Sequence, residues 1–117
     1  MVQKGRKNPP KIDGRIQARL KKIVKILATH EIDYRQLVLF GSQARGDARA
    51  DSDVDICIVV DDAVKNPIEV QRAANTRVAL AGIAADFFAT SMKQFKTDMV
   101  SPLLHEVRKD GIVIDKN

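Results

Sequence analysis

The stretch from Phe40 to Val60, F-G-S-Q-A-R-G-D-A-R-A-D-S-D-V-D-I-C-I-V-V, restricts the fold more than any other part of the chain. An apolar run stops at Gly41-Ser42, a polar loop of mixed charge follows, and Asp53 and Asp55 open a second apolar run. Strand side chains alternate faces, so residues two apart point the same way. That spacing puts Asp53 and Asp55 on one face with Cys57 and Val59, and Val54, Ile56, Ile58 and Val60 on the other. Two carboxylates held side by side repel unless a positive charge lies between them. A hard divalent cation such as Mg2+ answers that need, because it takes carboxylate oxygens together with substrate phosphates.

The flanking sequence supplies the rest of a small domain. Ile12, Ile16, Leu20, Ile23, Val24 and Leu27 recur at helical spacing and predict a helix over 13–28. Asp13 either caps it or stands in its first turn, where a carboxylate suits the helix dipole. A strand is expected over 34–40, with Ser42 as the N-cap of a short helix over 43–45. The loop over 46–52 then leads into a strand over 53–60. Pro67 marks the first turn of a helix that runs to about Ala81 and ends at Gly82. The run I-A-A-D-F-F-A-T, residues 83–90, reads as a third strand. Ser91 caps a helix over 92–99, Pro102 starts one over 102–109, and Asp110-Gly111 turns into a short strand, I-V-I-D. The fold class is α+β, α/β-like: a small mixed β-sheet with helices packed mainly on one face. Residues 1–11 are basic, carry Pro9-Pro10, and are expected to form a flexible tail. Residues 12–117 are expected to form a single domain.

Composition narrows the function classes. One cysteine, Cys57, excludes a disulfide framework within the chain. No apolar run approaches the roughly 20 residues that span a bilayer. The basic start has no apolar run after it, unlike a secretory signal, so a cytoplasmic setting and no membrane partner are expected. The net charge of +5 is uneven. Residues 1–25 carry nine Lys or Arg against one Asp, whereas residues 51–62 carry five Asp and no base. Aromatic residues are scarce, which argues against a base-stacking surface, so nucleic acid is not the expected partner. A small core and an exposed sheet edge leave room for a homo- or hetero-oligomer.

The candidate chemistry lies around the Gly-Ser turn. Gly41 lets backbone approach a ligand with no Cβ in the way. The N–H groups that follow, the Ser42 hydroxyl and Arg45 suit a phosphate. Asp86 stands between Ala85 and Phe87 in what reads as an interior strand, where an unpaired charge is costly. With that strand beside the Asp53 strand, three carboxylates meet at one point, which describes a two-metal phosphoryl or nucleotidyl transfer site. Asp53, Asp55 and Asp86 are then the catalytic and metal-binding residues. His30, His105 and Cys57 are too dispersed for a zinc site.

G-S-Q-A-R-G followed by D-S-D-V-D-I resembles the active-site signature of the DNA polymerase beta-like nucleotidyltransferase superfamily. The short chain resembles its minimal branch, the antitoxin-type nucleotidyltransferases. The resemblance makes Gly41 and Ser42 the Gly-Ser pair, with Arg45 and Gly46 after it. It makes Gly41, Ser42, Arg45 and Ser52 the nucleotide-phosphate group, Asp53 and Asp55 the metal-binding pair, and Asp86 the third carboxylate. It implies ATP as substrate, a two-ion Mg2+ site, and release of pyrophosphate. The implied acceptor is a hydroxyl, a tyrosine, of a partner HEPN-domain toxin. The alternative it carries is an antitoxin of weak or no activity that neutralises its partner by binding alone.

Overall fold

The computed structural model describes residues 12–46, 48–49 and 52–117, so the tail expected over 1–11 lies outside the described residues. The elements run α1 (Gly14–Thr29), β1 (Gln36–Phe40), α2 (Gly41–Arg45), β2 (Val54–Val60), α3 (Pro67–Leu80), β3 (Ala85–Ser91), α4 (Met92–Thr97), α5 (Pro102–Asp110) and β4 (Ile112–Lys116). The sheet order is β3-β2-β1-β4. β1 is antiparallel to both β2 and β4, and β2 is parallel to β3, with α3 as the crossover between them. A parallel pair needs such a connection, because a hairpin cannot join strands that run the same way.

The period-2 pattern of the strands divides the core in two. Leu37, Leu39, Ile56, Ile58, Phe87 and Ala89 pack with Ile16, Leu20, Ile23 and Leu27 of α1 and with Ala74 and Val78 of α3. Val38, Phe40, Cys57 and Val59 face the other way, against Phe95 of α4 and Leu104 and Val107 of α5. The two long helices thus share one face. The shorter α4 and α5 cover only part of the other, and the uncovered part becomes a cleft. No described helix is long and apolar enough to cross a membrane.

Local signals place most helix starts. The Asp13 carboxylate accepts the Arg15 N–H at 2.7 Å, and the Ser91 hydroxyl accepts the Gln94 N–H at 3.1 Å. Several boundaries differ from expectation. The first strand starts at Gln36, and the Tyr34 ring is instead buried in the core while its hydroxyl donates to Asp115. Ser42 is not an N-cap: α2 starts at Gly41, extended Phe40 precedes it, and no side chain caps it. The second strand starts at Val54, which leaves Asp53 just ahead of it. The fourth helix stops at Thr97, because the Asp98 carboxylate takes the Val100 and Ser101 N–H groups into a turn of its own.

The third strand lies at the edge of the sheet and not in its interior, and Asp86 is exposed. Helix α3 serves that edge as a neighbouring strand would. Asn75 accepts the Phe87 N–H at 2.9 Å and donates to the Phe87 carbonyl at 3.2 Å. Gln71 accepts the Ala89 N–H at 2.9 Å.

Candidate active site

The cleft opens where β1 ends and β2 and β3 begin. Its volume is about 460 Å3, and Gly41, Ser42, Arg45, Asp55, Asp86 and Glu106 supply most of its polar lining. Phe88 and Leu103 supply part of its apolar wall. The topology explains why these residues meet. Antiparallel pairing sets Phe40 opposite Asp55, so the turn at Gly41 falls beside the start of β2. Parallel pairing sets Asp55 opposite Asp86. Directly paired residues point to the same face, so both carboxylates look into the cleft.

Gly41 is tied to this arrangement by two constraints. Its φ of +75° favours glycine. A Cβ there would strike the Asp55 carboxylate at Oδ2. The backbone can therefore turn hard against Asp55 only because no side chain intervenes. The five-residue α2 that follows carries Arg45, whose guanidinium donates to Glu106 of α5 at 2.6 Å. This ion pair lies in the cleft lining, and both side chains are partly exposed.

The site is electrostatically negative at its centre. Burial, and then the charges of Asp86, Asp53 and Glu106, hold the Asp55 carboxyl above the usual carboxylate range, with Arg45 as a partial counterweight. Proton affinity raised by other acids marks a place that a cation would stabilise. Asp55 and Asp86 offer hard oxygen donors to such an ion, and Mg2+ characteristically uses one or two carboxylates and completes its shell from phosphate and water. Among the described residues, no group of three or more His, Cys, Asp or Glu side chains closes around one metal position.

The structure thus brings Gly41, Ser42, Arg45, Asp55 and Asp86 together. Asp53 is exposed ahead of β2, near enough to act on Asp55 electrostatically but outside the cleft lining. Ser52 is also outside the lining, and its carbonyl accepts from Arg19 and Gln43. Cys57 is packed in the core, and burial pushes its thiol up to about 12, so it is not a nucleophile. Two cleft residues, Glu106 and Gln71, went unseen in the sequence. Each looks like an ordinary polar position on a helix surface, and only the tertiary fold turns it inward.

The nucleotidyltransferase domain family matches residues 20–114. No curated protein matches the chain. Among solved structures, the chain is similar to a protein of Sulfolobus solfataricus, provisionally assigned as a nucleotidyltransferase, whose crystal structure was determined at 1.40 Å resolution. The two share 24% identity with a TM-score of 0.61 over 88% of this chain and 82% of that one, a likeness of fold. Because the family match runs from α1 to β4 and takes in the turn, the polar loop and all three acid positions, the chain belongs to the nucleotidyltransferase domain family, enzymes related to the DNA polymerase beta-like superfamily.

Proposed function

We propose that this protein transfers AMP from ATP to a hydroxyl of a partner protein, a tyrosine of a HEPN-domain toxin, and acts as its antitoxin in the cytoplasm. The observation that carries the chemistry is the pairing of Asp55 with Asp86 across adjacent parallel strands, hard against the Gly41 turn. The toxin partner rests on the resemblance of the G-S-Q-A-R-G and D-S-D-V-D-I motifs to the minimal antitoxin branch.

Asp55 and Asp86 are the residues that would hold Mg2+, and Asp53, just ahead of β2, would join Asp55 in holding a second ion. When bound, the metal supplies charge neutralisation for the triphosphate and for the departing pyrophosphate. The chain's own groups do the remaining work. The Gly41 backbone leaves room for the phosphates, and Ser42 and Arg45 line the place where they would lie. The acceptor oxygen bonds to the α-phosphorus, the bond from that phosphorus to pyrophosphate breaks, and the hydroxyl proton passes to Asp86. Asp86 is the more exposed of the two paired carboxylates, which suits it to meet an acceptor arriving from solvent.

The test is incubation of the partner toxin with ATP labelled at the α-phosphate. Label is expected on the toxin, and its transfer is expected to stop with Asp55→Asn/Asp86→Asn or with EDTA. A second reading, neutralisation by binding alone, is favoured by the position of Asp53, exposed ahead of β2 and apart from the cleft lining that holds Asp55 and Asp86. Toxin neutralised without label transfer would decide for that reading.

A further inference from the structure

The three acids are not equally supported by the fold. Asp55 and Asp86 lie within β2 and β3, where ladder pairing sets their backbone. Asp53 precedes β2 and has no place in the ladder. The peptide that joins Ser52 to Asp53 is held from outside the sheet. The Ser52 carbonyl accepts from Arg19 of α1 at 2.6 Å and from Gln43 of α2 at 3.4 Å. The same Arg19 nitrogen donates to the Ala84 carbonyl at 3.3 Å, and Ala84 also accepts the Val54 N–H at 3.3 Å. Arg19 is half-buried, on a helix whose neighbouring Ile16, Leu20 and Ile23 are fixed in the core.

We propose that Arg19 is a positioning residue of the active site: it staples the starts of β2 and β3 and sets where the Asp53 carboxylate stands. One guanidinium nitrogen touches the peptide next to Asp53 and the peptide two residues before Asp86. Gln43 ties the first of these to the helix that carries Ser42 and Arg45. The Gly-Ser turn and both acid strands are thereby referred to one cation on a rigid helix. Hydrogen bonds from a charged donor are the shorter and stronger class, and 2.6 Å is at the short end of it. Without Arg19, Gln43 holds the Ser52 carbonyl only at 3.4 Å, and Asp53 loses its fixed direction.

This inference rests on the reading that Asp53, Asp55 and Asp86 hold divalent cations. It is tested on the full chain by Mn2+ binding in the presence of a non-hydrolysable ATP analogue, read from the EPR signal of free Mn2+. Arg19→Met is expected to fold and to weaken Mn2+ binding about tenfold, the effect of losing a group that orients metal ligands. In the transfer reaction it lowers kcat and leaves KM for the nucleotide nearly unchanged, because Asp53 acts on the metal and not on the base. Arg19→Gln, a neutral donor, is expected to fall between wild type and Arg19→Met, and it carries the test if Arg19→Met does not fold. Wild-type Mn2+ affinity in a folded Arg19 variant, alongside loss of binding in Asp55→Asn, overturns the positioning role and leaves the metal site standing. Wild-type affinity in Asp55→Asn overturns the metal reading and this inference with it.

Discussion

Gly41 occupies the tightest point of the cleft. A Gly41→Ala substitution puts an L side chain in the left-handed region and is expected to lower stability by about 1–2 kcal/mol from the backbone alone. It also displaces the Asp55 carboxylate, so urea unfolding and MgATP titration should both register the change. Asp55 governs the pH response. Its folded-state carboxyl lies above the usual range, so the folded protein holds that proton more tightly than the unfolded chain does. Such a group stabilises the fold at acid pH and loses that contribution as pH rises through the folded-state value. Asp55→Asn is therefore expected to raise the thermal midpoint at pH 7 and to lose that advantage as pH falls through the carboxylate range. The gain should stay under about 1 kcal/mol, because the carboxyl is only partly buried and solvent screens the rest. Equal midpoints for variant and wild type at pH 7 would contradict this. At the scale of single residues, legibility depended on the distance over which a residue acts. Asp13 and Ser91 were readable because a cap bonds two or three positions away. Ser42 misled because Gly41 itself turns the chain into the helix. Glu106 and Arg19 left no local trace, because their partners lie 61, 33 and 65 residues away.

The edge at β3 shows how one element can stand in for another. Asn75 pairs both backbone groups of Phe87, and Gln71 pairs the Ala89 N–H. Asn75→Ala leaves a part-buried donor and acceptor unmade and is expected to cost about 1–3 kcal/mol in urea unfolding. It also bares a strand edge, so light scattering on heating should rise with protein concentration. The run around Asp86 reads as interior for the same reason: it is apolar and closed on both sides, but one side is closed by helix side chains. Strand order has no local signature, so the sequence pattern identified the strand and not its place. The long amphipathic helix α1 was readable from its period. The loop between α4 and α5 was not, because a remote side chain pins the turn that Asp98 forms. Arg108 donates to the Phe95 carbonyl at 2.8 Å and to the Asp98 carbonyl at 2.5 Å. Arg108→Ala is expected to free this loop and to speed proteolysis at Met99-Val100, which are 81% and 90% exposed.

Taken whole, the molecule places an acidic cleft in a chain of net charge +5. Nucleotide binding should stabilise the entire fold, since only the folded state assembles the cleft. At a concentration about 100 times its Kd, a non-hydrolysable ATP analogue with Mg2+ is expected to add about 2.7 kcal/mol. Thermal shift reads this, and EDTA or Asp55→Asn/Asp86→Asn should remove it. The family, the fold class and the turn with its two acid strands were legible at this scale, because motif and strand pattern agreed. The pairing of Asp55 with Asp86 has a consequence in time. The two belong to strands that run the same way with a helix between them, and long-range parallel pairing forms slowly. A chain halted before β3 therefore owns the glycine turn and half of the acid pair but no working centre. On dilution from denaturant, recovered turnover would serve as a clock for the last stage of self-assembly, lagging any signal that reports helix content alone.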